Sequence, residues 1–225
     1  FPEKAPELDR TELFGRTQPS RTVSGDYYDF FVRDDGTVDV VVADVCGKGM
    51  AASILAASVQ SAFQAWAGER FAPGRLAARL NDLVCRRTSP EKFITAILAL
   101  YDPGTGSLVF ANAGHNPAIL LRADGTYELL GAQGPPLGLF PGTSYPSDAR
   151  TLEPGDLLVM YTDGVTEAVA PDEEEFGLDR LVAIVKEAAA RPVADVEAAI
   201  GEALAAFAAG VPFHDDRTVV VLRRT

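Results

Sequence analysis

The segment Val38-Asp39-Val40-Val41-Val42-Ala43 is apolar at nearly every position. A strand with one wet face alternates apolar and polar residues, whereas one that is apolar at consecutive positions is covered on both faces. Leu157 to Thr162 is a second apolar strand, entered from the turn Glu153-Pro154-Gly155-Asp156. Such strands require a layered fold, with other elements packed on either side of the sheet.

The surrounding pattern supplies candidates for those layers. Thr22 to Val32 and Thr37 to Val45, rich in Val, Tyr and Phe and separated by Asp34-Asp35-Gly36, predict a hairpin. Met50 to Trp66 and Arg75 to Arg87 change to helical spacing and predict two helices. Phe93 to Tyr101, Ser107 to Asn112, Ala118 to Leu121 and Thr126 to Leu130 read as an antiparallel meander, broken at Asp102-Pro103-Gly104-Thr105-Gly106 and Asp124-Gly125. Helices over Asp179 to Ala190 and Val193 to Ala209 precede a last strand, Thr218 to Leu222. Short-turn strands interrupted by helix pairs point to an α+β fold of antiparallel sheets covered by helices, not to a doubly wound parallel sheet.

At 225 residues the chain can bury one sizeable core. Residues 1–21, with Pro2, Pro6 and Pro19, are expected to be a lead-in segment, and residues 22–225 a single domain. Phe1 in place of an initiating methionine points to a fragment whose N-terminal regulatory or sensor region lies upstream. A formal charge of -12 repels phosphate backbones and argues against nucleic acid as the partner. No run of about 18 apolar residues is present to span a bilayer, so no direct membrane contact is expected. Two cysteines, Cys46 and Cys85, are too few for a disulfide scaffold, which fits a reducing cytoplasm.

The chemistry-bearing residues are aspartates. In Ser24-Gly25-Asp26-Tyr27-Tyr28-Asp29, Ala43-Asp44-Val45-Cys46-Gly47-Lys48-Gly49, Tyr161-Thr162-Asp163-Gly164 and His214-Asp215-Asp216-Arg217-Thr218, an aspartate stands at a strand end beside glycine or another acid. An Asp-Gly pair alone is ordinary turn chemistry, and Asp34-Asp35-Gly36 and Asp124-Gly125 are read as turns only. Asp44 and Asp163, however, follow very hydrophobic strands, where an unpaired carboxylate is costly to desolvate and a bound cation offsets that cost.

Hard ions such as Mg²⁺ or Mn²⁺ take carboxylate, carbonyl and water ligands, and His115 and His214 alone cannot build a histidine cage. Two such ions about 4 Å apart can clamp a shared water for in-line attack on phosphorus. Other phosphate chemistries lack their residues. Gly47-Lys48-Gly49 does not have P-loop spacing. A cysteine phosphatase puts arginine at a fixed distance after its nucleophile, where this chain has Ala52 after Cys46 and Glu91 after Cys85. The chain has no D-x-D pair for a phosphoaspartate mechanism.

These motifs, with Phe93-Ile94-Thr95-Ala96, Asn112-Ala113-Gly114-His115-Asn116-Pro117 and Gly134-Pro135-Pro136-Leu137-Gly138 between them, resemble the PPM metal-dependent serine/threonine protein phosphatases. The likeness is to their bacterial, sporulation-phosphatase branch, and covers nearly the whole chain. It implies a β-sandwich flanked by helices on both faces, with two Mn²⁺ or Mg²⁺ ions at one end of the sheets. Asp44 would bridge the ions, the Val45 carbonyl would bind one, and Asp163 and Asp215 would complete the other. Asp26 would act directly or through water, and Asp29 and Asp216 would stand behind these ligands. The implied substrate is a phosphorylated STAS-type anti-sigma-factor antagonist in a partner-switching pathway.

Cys46 stands where eukaryotic relatives have a histidine proposed to protonate the leaving alkoxide. Protonation is then left to Lys48, a metal-bound water or solvent, and the sequence does not choose. Arg16 and Arg21 are the weak candidates for docking phosphate. His115 is read as a turn residue, Trp66 as packing, and Asp172-Glu173-Glu174-Glu175 as a solvated loop. The helices after Asp44 are a candidate switch or homodimer surface. Two rivals remain open: a non-catalytic metal-binding scaffold of the same fold, and a hydrolase of small phosphate esters.

Overall fold

The computed structural model describes residues 2, 4–20, 24–47, 49–69, 71–88 and 91–225, apart from the side chain of Ala51. Two antiparallel five-stranded sheets carry the fold. The first joins β2 (Asp26–Val32), β3 (Val38–Val45), β4 (Ile94–Tyr101), β5 (Ser107–Ala113) and β8 (Asp148–Thr151) in that order. The second runs β1 (Thr11–Gln18), β10 (Arg217–Arg224), β9 (Leu157–Tyr161), β6 (Ala118–Leu121) and β7 (Tyr127–Leu130). Helices α1 (Met50–Ala67) and α2 (Pro73–Arg87) pack on the first sheet, and α4 (Gly177–Ala188) and α5 (Val193–Ala208) on the second.

The apolar run in β3 is explained by this α-β-β-α layering. Val40 and Val42 face the second sheet, packing with Ile97, Phe110, Leu158, Met160 and Val220. Val41, pointing the opposite way, meets Val59, Phe63, Leu76 and Leu80 of the helices. Likewise Leu158 and Met160 face the sandwich interior, while Val159 and Tyr161 meet α4 and α5. Asp39, the one charge in the run, is buried and takes a two-pronged pair from Arg33, with Nε–Oδ2 at 2.6 Å and Nη2–Oδ1 at 2.7 Å.

Three readings need correction. Regular structure begins before residue 22, because β1 lies within the expected lead-in and pairs along its whole length with β10. Only one of its residues is buried, so its apolar signal is weak. The expected meander is split: β4 and β5 pair in one sheet, β6 and β7 in the other, and the chain crosses at residues 114–117. Asn112 fixes that crossing, accepting from the His115 N–H at 2.8 Å and donating to the Asn116 and Leu130 carbonyls at 3.3 and 3.2 Å. The third concerns Asp29. It points to the helix side, accepting from Tyr27 Oη and Gln64 Nε2, both at 2.7 Å, and so does not stand behind Asp26 or Asp44. Strand alternation from Asp26, three residues earlier, requires that opposite direction.

Candidate metal centre

Asp26 opens β2 and lies directly across from Asp44 of β3, which lies across from Thr95 of β4. Cross-strand partners share a face. These three therefore form a row at one end of the inter-sheet face, beyond the apolar row of Tyr28, Val42 and Ile97. Across the gap, the second sheet contributes Thr162, after β9, and Thr218, in β10. Both hydroxyls donate to Asp26 Oδ2 at 2.7 Å, and the Thr218 N–H donates to Thr162 Oγ1 at 2.9 Å. Asp26 thus ties the two sheets together where the sandwich opens.

Asp163 begins a short helix, α3 (Asp163–Thr166), and Asp215 precedes β10. Both converge on Asp44. Burial, followed by the charges of Asp163 and Asp215, pushes the Asp44 carboxyl up to about 7. Asp26 is also held well above the carboxylate range by its burial and by Asp44, against the hydrogen bonds from Thr218 and Thr162. Asp216 behaves differently. Burial acts to raise it, but hydrogen bonds outweigh burial and hold it below the usual range. Its Oδ1 accepts from the Ser20 N–H at 2.7 Å and its Oδ2 from the Gly25 N–H at 2.8 Å, fastening the approach to β2 onto the start of β10.

Gly164 lets α3 close onto this loop, since a β-carbon there would lie 2.1 Å from the Asp216 carbonyl oxygen. The Val45 carbonyl lies against Gly25, 3.5 Å from where a β-carbon would stand. Asp26, Asp44, Val45, Asp163, Asp215 and Asp216 thus lie around one end of the sandwich.

A family model described as stage II sporulation protein E (SpoIIE) matches residues 34–225. The chain belongs to the SpoIIE family. It is 30% identical over 210 residues to protein IcfG of Synechocystis sp., covering 81% of this chain and 33% of that protein. It is also 30% identical to phosphoserine phosphatase RsbU of Bacillus subtilis over 224 residues, covering 98% of this chain and 65% of RsbU. The chain thus spans between a third and two thirds of these relatives. Among solved structures, the PP2C phosphatase domain of SpoIIE from Bacillus subtilis superposes with a TM-score of 0.83 at 22% identity, over 97% of this chain and 64% of that one. The SiaA PP2C domain of Pseudomonas aeruginosa gives 0.82, also at 22%, over 94% and 85%. The SpoIIE-family chain has the PP2C fold.

The donor chemistry of this SpoIIE-family site suits a hard dication: carboxylates forced together at a partly buried sheet end, with Asp26 and Asp44 ion-paired to no described lysine or arginine. Among the described residues no three His, Cys, Asp or Glu side chains are placed to hold a metal ion by themselves. Hard ions complete their shells with carbonyls and waters and do not need three such side chains. Arg16 is not available for phosphate, since it pairs with Glu197 of α5 at 3.6 Å. Lys48 and Arg21 lie outside the described residues. Thr162 and Thr218 carried no role in the sequence reading. Their signal was a threonine just before Asp163 and another three residues after Asp215.

His115 is buried and bonds through Nδ1 to Thr95 Oγ1 at 2.8 Å, which places it behind the row that includes Asp44. Burial pushes its pKa down to about 4, from about 6.5 in an unfolded chain. Between these values the unfolded state binds the extra proton. The stability contributed by neutral His115 is therefore complete above about pH 6.5 and is lost as pH falls toward 4. Urea midpoints at pH 7.5 and pH 5 should show a smaller acid loss in His115→Gln than in the wild type. Equal losses would remove His115 as a source of acid sensitivity.

Proposed function

We propose that this chain hydrolyses phosphoserine or phosphothreonine on a protein, using two divalent ions, Mn²⁺ or Mg²⁺. The observation that carries this is the convergence of Asp26, Asp44, Asp163 and Asp215 on one end of a PP2C-type sandwich. Similarity to RsbU and RsbP, both named phosphoserine phosphatases of Bacillus subtilis, supports it. Asp44 would hold both ions, the Val45 carbonyl one of them, and Asp163 and Asp215 the other, with Asp26 in contact directly or through water. Ions held there supply Lewis acidity toward phosphoryl oxygens and lower the pKa of bound water.

The residues of the chain do the positioning. Thr162 and Thr218 both bond Asp26 Oδ2, which holds the Asp26 carboxyl against that of Asp44, its side-chain hydrogen-bond partner. Asp216 holds Gly25, and with it the start of β2, against the strand that follows Asp215. Thr218→Val keeps the side-chain shape and removes one of the two hydroxyl bonds to Asp26. It should weaken Mn²⁺ binding by about 10- to 100-fold, the usual cost of losing a partner behind a ligand. Calorimetric Mn²⁺ titration reads this, and unchanged affinity would take Asp26 out of the centre.

As substrate we propose a phosphorylated STAS-type anti-sigma-factor antagonist, on family analogy. A cytoplasmic setting agrees with Cys46 and Cys85 both being free, and no described helix is long and apolar enough to cross a membrane. The test compares such a phosphoprotein with p-nitrophenyl phosphate and small phosphate esters in Mn²⁺. A kcat/KM about 100-fold or more in favour of the phosphoprotein is expected, because binding energy from contacts remote from the reacting phosphorus contributes only with the protein substrate. Preference for a small ester would assign the chain to metabolite hydrolysis instead.

A further inference from the structure

Beside the aspartates lies a cation that none of the roles above uses. Lys92 follows α2 and precedes β4, and its ammonium lies 2.8 Å from the point a β-carbon would occupy at Gly47. Gly47 is in the loop directly after Asp44-Val45-Cys46 and has a φ of 101°, a backbone conformation that disfavours any side chain. The backbone at Lys92 is held from behind. Thr88 Oγ1, which donates to the Val84 carbonyl at 2.9 Å, also lies 3.3 Å from the Lys92 carbonyl, and the next residue, Phe93, accepts from the Cys46 N–H at 2.9 Å. The ammonium itself has no hydrogen bond or ion pair with any described residue.

A half-buried ammonium with no partner among the described residues, over the metal-motif loop, calls for an anion. The substrate supplies one, since a phosphorylated side chain carries nearly two negative charges and three strong acceptor oxygens. It must approach a chain of net charge -12 past several carboxylates, where like charges repel. An ammonium at the loop counters that repulsion.

The surface next to Lys92 has a complementary shape. A cleft of about 350 Å³ is floored by Val45, Ala52 and Leu55, walled by Ile54, and edged by Arg87 and Lys92. Ile54 and Met50, one turn apart at the start of α1, are 61% and 71% exposed. Scattered apolar side chains on a surface are ordinary, but two adjoining a cleft whose floor includes Val45, the residue after Asp44, form a contact patch beside the metal-motif loop. Apolar floor and basic edge suit an apolar side chain with an acidic group close by.

Resting on the phosphatase reading above, we propose that Lys92 binds the phosphoryl group of the substrate at the Gly47 loop. The adjoining cleft receives an apolar side chain that neighbours the phosphorylated residue in the substrate protein. Lys92 is then a substrate-binding residue and Ile54 a determinant of protein over small-ester specificity.

The test uses Lys92→Met, Lys92→Arg and Ile54→Ser. Inorganic phosphate is titrated calorimetrically into the Mn²⁺-loaded protein, and turnover of a phosphoserine STAS protein and of p-nitrophenyl phosphate is measured. Lys92→Met should weaken phosphate binding and raise KM for both substrates by about tenfold or more, as loss of a charge-assisted hydrogen bond does. Mn²⁺ affinity should stay within threefold, and Lys92→Arg should recover most of the phosphate affinity. Ile54→Ser should lower the phosphoprotein-to-p-nitrophenyl-phosphate ratio of kcat/KM about tenfold.

Phosphate affinity unchanged in Lys92→Met, or lowered only in step with Mn²⁺ affinity, would overturn the assignment of Lys92. A change of oligomeric state in Ile54→Ser, with the substrate ratio preserved, would show that the cleft takes a second copy and overturn that part. Absence of Mn²⁺-dependent turnover in the wild type would sink the phosphatase reading separately, because the phosphate titration still reads Lys92.

Discussion

Asp44→Asn is expected to abolish Mn²⁺-dependent turnover, a loss of about 10³-fold or more in kcat, in a protein that stays folded and melts a few degrees higher than the wild type in chelator. Both parts have one cause. Asp44 sits on a largely buried sheet end with the charges of Asp163 and Asp215 turned on it, and burial first, then that repulsion, raises its carboxyl to about 7. Without ions the charge is a strain on the folded state. Asparagine has nearly the same shape and removes it, so the metal-free protein gains stability. With ions the same charge becomes the principal attraction, and its loss should exceed the 10- to 100-fold cost of losing a partner behind a ligand. Thermal melts with and without Mn²⁺, beside turnover, separate the two. A variant that is both inactive and unstable in chelator would make Asp44 a structural residue.

Gly164→Ala is expected to cost about 1–3 kcal/mol of stability and about 100-fold or more in activity. The new methyl would stand 2.1 Å from the Asp216 carbonyl oxygen and 3.3 Å from the Asp215 β-carbon. Backbone cannot yield as a flexible side chain can, so α3 and the Asp215-Asp216 loop must separate. Asp163, one residue before the methyl, and Asp215 would then move apart. Denaturant midpoints and Mn²⁺ titration should both shift, with the helical and strand signals in circular dichroism retained. Wild-type activity would show that the spacing of Asp163 and Asp215 is not critical.

The layering was legible because β3 reports on both of its faces at once: Val40 and Val42 against one layer, Val41 against the other. The centre was legible because its aspartates lie at strand ends, where local sequence shows both the apolar approach and the polar stop. What escaped depends on long-range partners. β1 is a strand by virtue of β10, some two hundred residues away, and its own half-exposed sequence does not announce it. The passage from β5 to β6 could not be read, since a short apolar strand fits either sheet until Asn112 sets the crossing. Asp29, three residues from Asp26, was misplaced because nearness in sequence was weighed above strand alternation. Thr162 and Thr218 became visible as a pair only when β9 and β10 were seen side by side.

The lengths of the relatives bear on what the isolated chain can do. Because it spans 33% of IcfG and 65% of RsbU, activity of those whole proteins is a statement about more chain than this. The carboxylate centre, by contrast, lies wholly within the described residues.

The most direct measurement of the central claim is phosphate release from a phosphoserine STAS protein by the wild-type chain in Mn²⁺ and in EDTA. The account predicts multiple turnovers in Mn²⁺, none above background in EDTA, and recovery when Mn²⁺ is returned in excess. Equal release in the two conditions would contradict it, as would no release in Mn²⁺ from a folded protein that binds the ion.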